Sequence, residues 1–225
     1  MSGADFEVVR LTLLTALGAT ALNLPLAVLA GWGLARWSGA GRVATETVLS
    51  LPLVLPPTAV GLVLLQALAV GSPFGRLLDA LGVEVMFTWK GVVLASAVMS
   101  FPLLVRSART AFAEVDPRLV GVARTLGASR WGAFWRVELP LAAQGVVAGT
   151  VLAFARALGE FGATILIAGN IPGRTQTLAL AIYHRVQMGK EAQAWPLVAL
   201  TTLIAFAAIA AAERIGQRRQ GEVRG

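Results

Sequence analysis

Arg156 and Glu160 stand four residues apart inside a long apolar run, Val137 to Ala168. On a helix that spacing puts both side chains on one face, within reach of each other. Charges inside an apolar span are expensive and mark ion or substrate pathways. Two readings are open here: a self-paired couple that stabilises a bend, or a cation that meets a passing anion. Gly159 and Gly162 flank Glu160 and Phe161, which permits a tight bend and would place Phe161 as a hydrophobic gate. Little else in the chain could make or break bonds. With no Cys and one His, thiolate nucleophiles, zinc-thiolate sites, disulfide scaffolds and His clusters are excluded. That His184, between Tyr183 and Arg185, reads as a surface or interface residue. No G-x-x-x-x-G-K-[ST] phosphate loop occurs, so the chain cannot bind and hydrolyse ATP in the usual way.

A second constellation lies between Glu114 and Pro140. Asp116 is a good N-cap, Pro117 suits the first helical position, and Gly127 is a natural stop. Leu119, Val122, Ala123 and Leu126 then share one face, beside Arg118, Arg124 and Arg130. Ser129 can cap a second short helix with an aromatic face of Trp131, Phe134 and Trp135 at the membrane interface. The apolar stripe is either a docking surface for a partner groove or a loop that packs back on its own bundle.

The elements that carry these groups are membrane spans. Of 225 residues, 56% are hydrophobic and 14% charged, and mean hydropathy is +0.73. A soluble domain has about 25% charged residues. Five runs approach the ~20 apolar residues needed to cross a bilayer: Val8 to Ala35, Thr47 to Val70, Gly91 to Phe112, Val137 to Ala168 and Trp195 to Ala212. The fourth is too long for one crossing and should break near Leu158. Thr175 to Lys190 reads as a short surface helix. The acidic start (Asp5, Glu7) argues against a cleaved signal peptide. The net charge of +7 sits in Arg-rich loops between apolar runs, which favours a lipid bilayer over nucleic acid as the partner.

One set of loops holds 12 Lys and Arg, from Arg36 to Arg224, and the other holds 6, from Arg10 to Lys190. The richer set should be cytoplasmic, with the N-terminus outside and the C-terminus inside. Pro25, Pro52, Pro56, Pro57 and Pro102 fall inside apolar runs and free backbone carbonyls that lipid cannot satisfy. Leu51 to Thr58, with three prolines, should be a distorted helix lining something that moves or conducts. Gly145, Gly149, Ala153 and Ala157 form a small-residue stripe suited to close packing, within the subunit or across a dimer. The six Trp fall mostly at span ends, as interfacial belts.

The loop resembles the cytoplasmic signature of ABC importer permeases: Glu-Ala-Ala, three residues, Gly, nine residues, Ile, one residue, Leu-Pro. Ala123, Gly127, Leu139 and Pro140 match, Val137 stands for Ile, and Gly121 and Val122 replace Glu and Ala. Gly159 to Thr164, Gly169 to Thr177 and Ala181 to Tyr183 are similar to the molybdate transporter permeases, as is Ala123 to Ser129. The likeness runs from about Leu11 to Arg214. It implies an all-α membrane protein of type I importer permease architecture: five transmembrane helices and a cytoplasmic coupling helix-turn-helix, in one permease domain over 1–225. It further implies an inner-membrane homodimer, two cytoplasmic ATPase subunits that bind the ATP, an extracytoplasmic oxyanion-binding protein, and no cofactor or catalysis of the chain's own. Arg118, Leu119, Val122, Ala123, Leu126, Gly127, Ala128, Leu139 and Pro140 would couple to the ATPase. Arg156, Gly159, Glu160, Phe161 and Gly162 would line the pathway or gate. A tungstate or sulfate/thiosulfate importer is the alternative cargo reading. A secondary transporter is disfavoured by the lack of internal repeats.

Overall fold

The structure, a computed structural model, describes residues 3–222, with side chains to 214. The basic tail beyond, with Arg218, Arg219 and Arg224, lies outside the described side chains. The described residues are helical, without a strand. In chain order they are α1 (Gly3–Arg36), α2 (Gly41–Val54), α3 (Pro57–Leu68), α4 (Pro73–Ala80), α5 (Trp89–Ala113), α6 (Pro117–Thr125) and α7 (Arg130–Ala133). A π-helical turn (Phe134–Glu138) leads into α8 (Leu139–Leu158), followed by α9 (Gly162–Ile167), α10 (Leu178–Gln187) and α11 (Glu191–Glu222). By length and composition four runs can each cross a membrane: α1, α5, Arg130–Leu158 and Glu191–Arg214.

The expected second span is not one helix. α2 and α3 meet at a bend of 108°, and five crossings result only if the pair counts as one. The cause is local. A residue before proline is pushed out of the helical region. Leu55 precedes Pro56, and Pro56 precedes Pro57; their ψ angles are 144° and 133°. Two extended residues in a row redirect the chain, and Pro57 then starts α3 where a missing N–H costs nothing. Pro25, Pro52 and Pro102 stay inside their helices.

α1, α5 and α8 form the centre. In lipid, helices associate through close packing and hydrogen bonds rather than through the hydrophobic effect. Asn23 Nδ2 donates to Ala97 O at 2.9 Å and to Ser100 Oγ at 3.1 Å, pinning α1 on α5. A Cβ on Gly31 would fall 2.7 Å from Ala108 Cβ, and one on Gly149 would fall 2.2 Å from Ser107 Cβ. Ala153 and Ala157 are buried among residues of α1 and α5. The α8 stripe from Gly149 onward thus serves packing inside the subunit.

Two further expectations shift. Phe134 is not an interfacial residue. It is 1% exposed, in a cluster with Trp32 and Phe112: as neighbours on a helix, Phe134 and Trp135 point in different directions, and Phe134 takes the inward one. Trp32 is likewise core rather than belt. The segment after Thr175 contains α10, which is a surface helix on one side only. Leu178 and Ala181 are buried with Val8 and Leu197, and Thr12 Oγ1 accepts from Leu178 N at 2.9 Å.

Candidate functional site

The α6–α7 hairpin is built by local chemistry. Asp116 Oδ1 accepts from Arg118 N at 2.8 Å. At the other end Gly127 has φ +88°, which L side chains adopt only under strain. Ala128 N bonds to Ala123 O at 3.0 Å and Gly127 N to Arg124 O at 3.1 Å. These two bonds are a Schellman stop, and they account for the roles of Gly127 and Ala128. Ser129 Oγ then caps α7 by accepting from Gly132 N at 3.0 Å.

α6 buries none of its residues. Leu119, Val122 and Leu126 are 48%, 58% and 82% exposed, with Ala123 half-buried among them and Arg118 exposed beside them. The stripe does not pack back on the bundle. Only Val120, off the stripe, reaches the Phe112–Phe134 cluster.

The hairpin's rear is anchored by a residue that the spacing argument missed. Glu138 lies between the motif positions Val137 and Leu139 and is 3% exposed. Its Oε2 accepts from Trp32 Nε1 at 2.8 Å and from Arg36 Nε and Nη2 at 3.0 and 2.9 Å. Arg130 lies 5.1 Å over the Trp32 ring, and Trp32 packs on Trp131 and Phe134. The loop is thereby tied to the ends of α1 and α5, while Leu139 and Pro140 begin α8. Such a device can transmit a push; it has no bond-making chemistry.

At the far end of α8, Arg156 Nη1 pairs with Glu160 Oε2 at 2.8 Å. Glu160 is 2% exposed, and its Oε1 accepts from Ala163 N at 2.9 Å at the start of α9. The pair therefore closes the bend between α8 and α9. Gly159 caps α8 with φ −92° and open space where a Cβ would stand, so the bend does not demand glycine there. Gly162 is different. Its Cβ would meet Pro57 Cβ at 2.6 Å, and a Cβ on Gly61 would meet Ala163 Cα at 2.9 Å. The broken α2–α3 pair thus touches the broken α8–α9 pair. Irregular backbone at membrane depth is stable where protein or a cavity surrounds it. Phe161 is half-buried and packs, tilted by 57°, against Tyr183 of α10 with ring centroids 4.9 Å apart. The structure brings Arg156, Glu160, Phe161 and Gly162 to one place, remote in sequence and space from the hairpin residues. No group of His, Asp and Glu suited to a metal occurs among the described residues.

The model of the family described as "binding-protein-dependent transport system inner membrane component" matches residues 23–221, spanning hairpin and bend alike. Molybdenum transport system permease protein ModB of Escherichia coli (strain K12) is 42% identical over 98% of this chain and 99% of its own. The putative molybdenum transport system permease protein YvgM of Bacillus subtilis (strain 168) is 46% identical over 80% of each chain. Sulfate transport system permease protein CysT of Escherichia coli (strain K12) is 36% identical over 94% of this chain and 78% of its own. Among solved structures, a bacterial ABC transporter that imports alginate superposes with a TM-score of 0.74 at 16% identity, over 97% of this chain and 80% of that one. An inward-facing MetNI methionine ABC transporter superposes with 0.63 at 18% identity, over 96% and 99%. These structures share the fold. By family match, near full-length relatives and fold, the chain belongs to the inner-membrane permease components of binding-protein-dependent ABC importers.

Proposed function

We propose that this permease passes molybdate across the membrane as a homodimer, with two cytoplasmic ATPase subunits and an extracytoplasmic oxyanion-binding protein. The observation that carries the coupling role is the exposed apolar stripe of α6, rigidly capped at both ends and anchored through Glu138. Leu119, Val122, Ala123 and Leu126 enter a groove of the ATPase, with Arg118 at its rim. Closure of the ATPase pair moves α6. Glu138 passes that movement to Trp32 and Arg36 of α1, and the π turn passes it to α8. α8 ends at the Arg156–Glu160 bend, which leans on Pro57 through Gly162. The bend then shifts against α3, and Phe161 opens or closes the path. The two orientations are a bistable element biased by nucleotide. The hairpin end is cytoplasmic, with the N-terminus outside, which agrees with the Arg-rich loops.

Molybdate is favoured as cargo by the identity to the two molybdenum permeases. Sulfate is the second reading, favoured by the likeness to CysT. The test is uptake into reconstituted vesicles carrying the permease, its ATPase and its binding protein. ATP-dependent molybdate uptake that sulfate cannot outcompete is expected. Uptake of sulfate alone would replace the cargo, and uptake without ATP would overturn the coupling.

A further inference from the structure

A cavity of about 320 Å³ lies between the hairpin-end halves of α1, α2 and α5, apart from both α6 and the Glu160 bend. Glu46, Ser50, Arg106, Arg109 and Thr110 are in its wall. The way α2 is held makes this cavity unusual. Ser50 is the one buried residue of α2, and beside the apolar contact of Leu49 polar groups help to seat this helix on α5. Arg106 Nε donates to Ser50 Oγ at 3.2 Å. Glu46 Oε1 receives Arg42 Nε at 2.8 Å and lies 2.9 Å from Arg109 Nε. The Arg109 contact is an ion pair whose buried Nε–H makes no aligned hydrogen bond.

Arg42 and Arg109 share the Glu46 carboxylate and Arg106 is held by Ser50, so three guanidiniums stand near one carboxylate, an excess of two positive charges (3 − 1). Like charges gathered beside apolar walls are unfavourable without a counter-charge. Arginine forks suit the oxygens of tetrahedral oxyanions. Ser50 accepts from Arg106 and keeps its own hydroxyl proton to donate. Arg156, by contrast, is already neutralised by Glu160.

We propose that this cavity is a way station for a doubly charged tetrahedral oxyanion, held by Arg106, Arg109 and Ser50 between α2 and α5. The proposal rests on the oxyanion-import reading and adds a site on the hairpin side of the gate. The anion offers Arg109 Nε an aligned acceptor in place of the misaligned Glu46 oxygen. It also competes with Glu46 for Arg109, so arrival of cargo loosens the seat of α2. A site that shares its arginine with a resident carboxylate binds briefly, as a transit point must.

The test is equilibrium dialysis of the purified permease–ATPase complex, without binding protein, against molybdate, sulfate and inorganic phosphate separately. Saturable binding near one anion per permease chain is expected for at least one of the three. Arg106→Gln and Arg109→Gln should each weaken it roughly tenfold, as loss of a charged hydrogen bond does, whereas Arg156→Gln should leave it intact. Complex yield of each variant checks assembly; Ser50→Ala, a milder change, should weaken binding by a few-fold. No saturable binding by any anion, or binding unchanged in the Arg106→Gln/Arg109→Gln double variant, would overturn the site. A lipid phosphate has the same chemistry, so dialysis is repeated in nanodiscs with phosphatidylglycerol. Full displacement of the oxyanion there would assign the cavity to lipid and overturn the transit role. Failure of the site is distinct from failure of the function. Uptake with no binding leaves the importer and removes the way station. Arginine-dependent binding with no ATP-driven uptake does the reverse.

Discussion

Replacing Glu138 with Ala tests whether one carboxylate connects the hairpin to the bundle. Its Oε2 accepts three hydrogen bonds, one from Trp32 and two from Arg36. Trp32 is buried, so its indole N–H would be left unsatisfied, a loss of about 1–3 kcal/mol. The Arg36 side chain is 24% exposed, so water recovers part of that interaction and its loss is limited to about 1 kcal/mol. Glu138→Ala should therefore destabilise the hairpin–α1 junction by about 2–4 kcal/mol, and Glu138→Gln, which keeps an acceptor, by about 1 kcal/mol. Stripe and caps of α6 are untouched, so the ATPase should still co-purify. The assay measures ATP hydrolysis and uptake together in vesicles, with thermal unfolding of the complex alongside. The Ala variant should hydrolyse ATP with little uptake and unfold earlier, and the Gln variant should lie between. Normal uptake per ATP in the Ala variant, at an unchanged unfolding midpoint, would mean that Glu138 does not link the hairpin to the bundle.

Leu126→Asp puts a charge on the most exposed position of the stripe and should abolish co-purification of the ATPase while circular dichroism stays helical; recovery of normal complex counts against docking. Gly162→Val pushes side-chain atoms into Pro57 and should cost about 1–3 kcal/mol as overpacking does, with uptake falling and ATPase binding kept; wild-type uptake would separate the bend from the gate. Arg156→Ala leaves the Glu160 carboxylate with Ala163 N–H as its remaining bond among those described and should slow uptake without loss of assembly. An unchanged rate would remove the pair from the gating path.

The hairpin was legible because its determinants are local. Asp116, Pro117, Gly127 and Ser129 act within four residues of where they stand, and each does what its type predicts. The break after Leu158 was legible for the same reason. The angle between α2 and α3 was not. Prolines announce irregularity, but a 108° bend needs two consecutive extended residues, which a distorted-span reading averages away. Glu138 was missed because its partners lie 102 and 106 positions away. Its one sequence signal is an acid set between two apolar motif positions. Phe134 was misplaced because three aromatics were assigned to one face, although adjacent helical residues point in different directions. The seat of α2 was hidden too, since Arg106 and Arg109 read as loop charges until folding places them with Glu46 around one cavity.

The bend between α2 and α3 also has an electrical consequence. Helices of 14 and 12 residues are about 21 and 18 Å long. Turned by 108°, they reach only about 23 Å end to end, short of the ~30 Å hydrocarbon core. This segment cannot insulate the bilayer by itself, and the transmembrane voltage must fall across whatever seals the gap beside it. α9, in contact through Gly61 and Gly162, is the nearest seal. Carrying the proposed dianion toward a negative interior works against about 4.6 kcal/mol per 100 mV, and most of that work is done where the field is steepest. Damage to the α3–α9 contact should therefore register first as ionic conductance, ahead of any loss of cargo flux.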